Sequence, residues 1–328
     1  MKLGIGLPSY ASDSHRIPPD RLRRFARTAE DRGFAGAWLI EHLVQPPTYA
    51  TSLLDPLTTL AHVAGATETI PIGTSVLLLP LRNVVMVAKR AATVQHLAGD
   101  RLTLGLGTGY VEEEFDAVGV PIDERSARFL EGIELLEALF EGRRVTFDGE
   151  FYGVSDFRLE PAVVSPPRLL AGGGGTDRPA DDGGTERVVR DSVTRRIDHA
   201  DGWIAPPRPA DALETDWAAF ADRLEAQGRD PNAVDRVALQ YVHLEPGDPD
   251  QARRIQRREA GTFIGRERTV EEVEDAWLFG SVEEIRDRLQ RYEAQGFDEV
   301  ILHPTTRDPA ELDRQLRLWD DHLRTAHP

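Results

Sequence analysis

At 328 residues the chain is long enough for two average domains, or for one α/β barrel with insertions. It has no cysteine, which excludes disulfides, thiolate catalysis and cysteine-bound zinc, and no apolar run of about eighteen residues that would span a membrane. The formal net charge of −17, with Lys2 and Lys89 as the only lysines, repels phosphate backbones and argues against nucleic-acid binding. That balance fits an ordinary acidic enzyme. It also fits adaptation to a salt-rich cytoplasm, where repulsion between carboxylates is screened to within about 3 Å at 1 M salt, and it resembles halophilic archaeal proteins.

"KLGIGLP" opens the chain as a strand with no signal peptide, so a cytoplasmic protein is expected. Leu22, Phe25, Ala26 and Ala29 then mark a helix face, Gly33 ends it, and "GAWLIEH" is the second strand. "PIGTSVLLLP" and "RLTLGLGTG" are the third and fourth. An insertion over about 110–165 holds a long helix around "EGIELLEALFEG" and a hairpin, "VTFDGEFYGV", turning at Asp148-Gly149. "PRLLAGGGG" is the fifth strand. The Gly/Asp-rich segment after it, about 172–185, reads as a mobile loop, followed by a helix from about Thr185 to Ala200. "DGWIAPP" and "RVALQYVHLE" are the sixth and seventh strands, and a charged, helical insertion covers about 245–280. Ser281 and Glu284 then form a capping-box signature. Val282, Ile285, Leu289 and Tyr292 line the helix that follows, Gly296 stops it, and "DEVILHP" is the eighth strand. "EDRGFAGAWLIEH" and "EAQGFDEVILHP" repeat one helix-to-strand joint near the two ends of the chain. Eight largely apolar strands alternating with helices, with no linker between them, predict one parallel (β/α)8 barrel over 1–328.

In such a barrel the functional face lies at the C-terminal strand ends. Those ends carry Glu41-His42, Gly73-Thr74-Ser75-Val76, Gly107-Thr108-Gly109-Tyr110, Gly172 to Gly175 and His303, with Trp203 near the start of the sixth strand. A bowl of small, polar and imidazole side chains suits a flat ligand with a phosphate tail. Gly173, Gly174 and Gly175 before a helix form an anion site or, alternatively, a flexible loop. His42 is either a proton carrier or a structural histidine; Glu41 orients it, bonds a ligand, or is a plain surface carboxylate. "GLGTGY" does not complete a GxGxxG fingerprint, there is no GxSxG elbow, and no HExxH or HxH pair indicates a metal.

Together these residues resemble the luciferase-like superfamily of flavin- and deazaflavin-dependent oxidoreductases. The match runs through "GFAGAWLIEH", the block from "DPLTTLAHVAGATETIPIGTSVLLLP" to "GLGTGYVEEEFDAVGV", "HADGWIAPP" and "GSVEEIRDRLQRYEAQGFDEVIL". The resemblance implies a TIM barrel with insertions, often a homodimer, that binds its cofactor at the rim and acts on a small molecule. It implies a bulge in the third strand with a cis Ser75-Val76 bond backing the cofactor's central ring, and Thr108, Gly109 and Gly173 to Gly175 holding the ribityl and phosphate parts. "TSV" and the archaeal-looking composition favour coenzyme F420 over FMN. His42 would be the catalytic proton carrier, with Glu41 beside it and Tyr110 and His303 as weaker substrate contacts or proton donors. The sugar-phosphate dehydrogenases of the F420 branch carry a catalytic glutamate where this chain has Tyr110, so sugar-phosphate oxidation is not expected. An F420-dependent hydride-transfer enzyme, an FMN-dependent monooxygenase and a non-catalytic ligand-binding barrel remain as alternatives.

Overall fold

A computed structural model describes residues 1–9, 18–45, 52–179, 185–265 and 269–324. Eight parallel strands close into the predicted barrel, and every one falls on its expected segment. In chain order the strands are β1 (Lys2–Gly6), β2 (Ala37–Leu39), β3 (Ile72–Leu78), β4 (Leu102–Gly107), a hairpin of β5 (Val145–Asp148) and β6 (Gly153–Phe157), β7 (Arg168–Gly172), a second hairpin of β8 (Thr176–Pro179) and β9 (Thr185–Val188), β10 (Gly202–Ala205), β11 (Asp235–Val242) and β12 (Glu299–Pro304). The barrel runs β1-β2-β3-β4-β7-β10-β11-β12 and back to β1. Lys2 pairs with Glu299 and Ile5 with Leu302, which closes it.

The helices form the outer layer because their apolar stripes face the strands. Leu22, Phe25, Ala26 and Ala29 are the buried residues of α1 (Pro19–Asp31), as their spacing predicts. Helices α2 (Pro56–Ala64) and α3 (Val84–Leu97) follow β2 and β3. After β4 come α4 (Glu112–Val118) and α5 (Arg125–Phe140); α5 buries Phe129, Ile133, Leu136 and Leu139 in the main core. Part of the segment read as an insertion over 110–165 therefore belongs to the barrel's own shell. The expected hairpin forms, but Asp148 pairs with Gly153 inside the ladder and the turn spans 149–152, closed by Gly149 N donating to the Tyr152 carbonyl at 3.0 Å, instead of lying at Asp148-Gly149. Within 245–280 lie α8 (Pro249–Phe263) and α9 (Val270–Glu274). The capping box forms: Ser281 Oγ accepts from Glu284 N at 3.2 Å, and Glu284 Oε2 accepts from Ser281 N at 2.7 Å. Among the described residues no helix is long and apolar enough to cross a membrane.

The segment after the glycine run departs from expectation. Residues 176–179 and 185–188 pair as an antiparallel ribbon, with Thr176 opposite Val188 and Pro179 opposite Thr185; 180–184 lie outside the described residues. The helix expected from Thr185 shrinks to α6 (Asp191–Thr194) and a 3-10 turn, Arg195–His199. Thr185, Val188 and Val189 are β-branched and lose side-chain freedom in a helix. Arg187 in β9 also anchors the ribbon to α7 (Ala210–Ala226) through Asp216.

Candidate active site

The small and polar residues in β3 answer to their neighbours. An added Cβ at Gly73 would lie 2.5 Å from the Trp38 ring, so glycine admits that indole into the barrel interior. Thr74 Oγ1 donates to the Gly105 carbonyl at 2.7 Å, and Ser75 Oγ lies 3.1 Å from His303 Nε2. Both hydroxyls are therefore satisfied within the core. Between Ser75 and Leu77 the register against β4 shifts, leaving Val76 as the extra residue of a bulge, and the Ser75–Val76 bond is cis.

Val76 faces a cavity of about 510 Å³ at the C-terminal strand ends. Gly107 and Gly172 flank it. A Cβ at Gly107 would stand 2.4 Å from Val76 Cγ2; one at Gly172 would stand 3.0 Å from Val76 Cγ1 and 2.5 Å from the Leu106 carbonyl. Only glycine at both positions leaves Val76 as the cavity floor. His42, Ser75, Thr108, Gly109, Tyr110, Gly173 and Gly174 join it in the lining. Gly175 is not in the lining; its Cβ position is 2.7 Å from Asp216 Oδ1, behind the loop.

The residue that holds His42 is Glu114, which the sequence reading missed. His42 Nδ1 is 3.1 Å from Glu114 Oε1, and the same oxygen accepts from Leu43 N at 2.6 Å. An oxygen that already accepts an amide favours hydrogen on Nδ1, so Nε2 is the ring atom able to exchange a proton with a ligand. The Tyr110 ring meets His42 edge-on, with 5.6 Å between centroids. Nothing in "EEEF" singles out Glu114 by sequence; in the fold Glu112 and Glu113 are exposed while Glu114 and Phe115 are buried, and a buried acid needs a partner.

Glu41 lines the cavity but does not orient His42. Its Oε2 accepts from Leu78 N at 2.6 Å and its Oε1 pairs with Arg82, which also meets Asp55 at 2.8 Å. Burial raises the Glu41 pKa against the pull of Arg82. Its position joins the ends of β2 and β3 just beyond the bulge. His303 lies beneath the floor rather than in the cavity lining; it is 1% exposed, and burial takes its pKa down to about 3, so the ring is neutral. It supports Ser75 and is not placed to give a proton to a cavity ligand. Trp203 is fully buried, and its Nε1 donates to the Gly173 carbonyl at 2.6 Å.

The positive charge near the glycines comes from arginine. A helix dipole contributes little here, since α6 has one turn. Arg125, Arg190 and Arg196 line the cavity. Arg196 is 6% exposed, donates to the Gly172 carbonyl at 2.8 Å and lies 5.2 Å from the centre of the Phe129 ring. Burial, with Arg125 nearby, lowers its pKa to about 10. It remains charged at neutral pH. Among the described residues no group of three or more His, Asp or Glu is arranged to hold a metal.

Comparison with known proteins shows the family and the fold. The family model for luciferase-like monooxygenase matches residues 1–299. An F420-dependent glucose-6-phosphate dehydrogenase from Kineococcus radiotolerans is 30% identical over 95% of this chain and 94% of its own length. An F420-dependent hydroxymycolic acid dehydrogenase from Mycobacterium tuberculosis is 30% identical over 72% of this chain and 61% of its own. Among solved structures, an F420-dependent secondary alcohol dehydrogenase in complex with an F420-acetone adduct superposes with a TM-score of 0.78 at 18% identity, covering 99% of this chain and 100% of that one. A monooxygenase from Streptomyces bottropensis superposes at 0.76 with 20% identity, covering 98% of both chains. The chain belongs to the luciferase-like monooxygenase family, whose members are oxidoreductases.

Proposed function

We propose that this protein is an F420-dependent oxidoreductase acting on a small organic alcohol or carbonyl compound. The observation that carries the reading is the 30% identity, over 95% of the chain, to a relative named for F420 dependence. The cavity's shape is consistent with it. Gly107 and Gly172 keep the space beside Val76 clear where a Cβ would intrude, as a flat ring seated on that side chain requires. Val76 and the backbone at Ser75 would support the ring, Thr108 and Gly109 the ribityl chain, and Gly173, Gly174 and Arg196 the phosphate. When bound, the deazaflavin would supply a two-electron hydride acceptor or donor.

The protein's own part is proton handling and exclusion of water. His42 Nε2 takes a proton from a substrate hydroxyl, or returns one to a carbonyl oxygen in the reverse direction. Glu114 holds the ring in the required tautomer and stabilises the imidazolium that forms. Tyr110, 51% exposed, bounds the cavity beside His42.

The alternative is an FMN-dependent monooxygenase in the same cavity, supported by the family's description and by the fold shared with monooxygenases. Turnover separates the two. Under anaerobic conditions, oxidised F420 with a panel of secondary alcohols, or reduced F420 with ketones and enones, should lose or regain its visible absorption in step with substrate conversion. Oxygen consumption with reduced FMN and no F420 reaction would favour the monooxygenase.

A further inference from the structure

The ribbon after the glycine run contains a charged contact that the proposed chemistry leaves unused. Asp216, in α7, is fully buried, and its carboxylate lies against the back of the glycine loop. A Cβ built at Gly174 would be 2.4 Å from its Oδ2, and one at Gly175 2.7 Å from its Oδ1. A buried carboxylate there opposes any anion on the loop's other face. Arg187 answers it with two bonds, Nε to Oδ1 and Nη2 to Oδ2, both 2.7 Å. A third, Nη1 to Asp177 Oδ1 at 2.9 Å, ties the two strands of the ribbon together. The Arg187 side chain is only 9% exposed, so solvent screens this arrangement little. On the cavity side the same loop faces Arg190 and Arg196.

We propose that the Arg187–Asp216 pair sets how tightly the Gly173–Gly175 loop holds a phosphate-bearing ligand, by cancelling the carboxylate behind the loop while fixing the loop's position. This rests on the reading that the loop receives the cofactor's phosphate. It holds equally for F420 and FMN, because both carry that group.

The test compares ligands with and without phosphate: F420 against its phosphate-free deazaflavin core, and FMN against riboflavin, with dissociation constants read by fluorescence on the intact protein. Wild type should prefer the phosphate-bearing member of at least one pair. Arg187→Gln, which leaves Asp216 unbalanced, should weaken that member by at least about tenfold and its phosphate-free partner by less than about threefold. Asp216→Asn, which removes the buried carboxylate and leaves Arg187 paired with Asp177 alone, should tighten the phosphate-bearing member by about threefold or more and leave its partner unchanged. The double variant R187Q/D216N should return most of the wild-type preference. Should R187Q fail to fold, D216N and the double variant, which removes the buried charge altogether, decide the question. Equal weakening of both members, or no tightening in D216N, would overturn the proposal and leave the pair a structural brace. A wild type with no preference for phosphate would instead overturn the phosphate reading of the loop, and the proposal with it.

Discussion

His42 follows β2 and Glu114 lies in the first turn of α4, 72 positions apart, yet Nδ1 of one lies 3.1 Å from Oε1 of the other. The Leu43 amide shares that oxygen, so the carboxylate is fixed by the same turn that carries the histidine. His42→Asn should lower kcat by about 10²- to 10⁴-fold, the usual range for a lost proton carrier, and change the cofactor dissociation constant by less than about threefold. Glu114→Gln should cost less, about ten- to a hundredfold in kcat, because the ring loses its preferred tautomer but remains in place. Stopped-flow turnover alongside equilibrium cofactor titration checks both. A parallel loss of affinity and kcat in H42N would contradict the proton-carrying role.

Val76 and Gly107 should be energetically coupled. Gly107→Ala places a methyl 2.4 Å from Val76 Cγ2, so the valine must shift and the cavity floor with it. Cofactor affinity should fall by at least about tenfold, and Val76→Ala in the same chain should recover most of it, a coupling of about 1 kcal/mol or more in a double-mutant cycle. Losses that simply add would mean that Gly107 is required for some other contact.

Stability should depend on pH through two groups inside the barrel. Burial raises the Glu299 pKa to about 7, while its Oε1 accepts from Trp38 Nε1 at 2.7 Å. Above its unfolded value near 4.5 the unfolded chain gives up this proton first, so the stabilisation present in acid is lost as pH rises through about 7. His303 has the opposite sign. Its folded pKa near 3 lies below the unfolded 6.5, so the unfolded chain binds the proton more readily and stability is lost as pH falls from about 6.5 towards 3. Each effect amounts to a few kcal/mol on linkage arithmetic, about 3 for Glu299 and about 5 for His303. The two slopes oppose each other between about 4.5 and 6.5. Urea midpoints across pH should show E299Q losing less stability than wild type between pH 5 and 7.5, and His303→Asn losing less below pH 6.

The acidic surface predicts a response to salt. With a net charge of −17, repulsion acts over about 10 Å at 0.1 M salt and about 3 Å at 1 M. The thermal unfolding midpoint should therefore rise between 0.1 and 2 M KCl. A flat or falling midpoint would favour the ordinary acidic enzyme.

The sequence revealed the barrel because its signals are local. Each strand is a short apolar run between turn residues, and the faces of α1 and of the helix Val282–Ala294 read directly from their spacing. Glycines 73, 107 and 172 were visible among the strand-end residues, but what they make room for, Trp38 and Val76, depends on which strands are neighbours. Glu114 was hidden among three consecutive glutamates, and only tertiary contact distinguishes the one that meets His42. Of the roles expected for Glu41, orienting His42 rested on adjacency in sequence and does not form, because successive residues at a strand end point in different directions; its place in the cavity lining fits the expected ligand contact. The helix expected from Thr185 gave way to a ribbon: its β-branched residues already weakened the helix, and the contact to Asp216 that anchors the ribbon is long-range and not legible in the segment itself.

The most direct test of the central claim is an equilibrium titration of the wild-type protein with oxidised F420 and, separately, with FMN, followed by fluorescence and repeated with Gly107→Ala, whose methyl meets the Val76 side chain and no backbone atom. If Val76 supports a deazaflavin ring, F420 should bind one per chain and more tightly than FMN. The alanine at 107 should weaken F420 binding at least about tenfold while leaving the far-ultraviolet dichroism unchanged. Saturable FMN binding with no F420 binding would contradict the cofactor assignment, and undiminished F420 binding by the alanine variant would contradict the proposed seat.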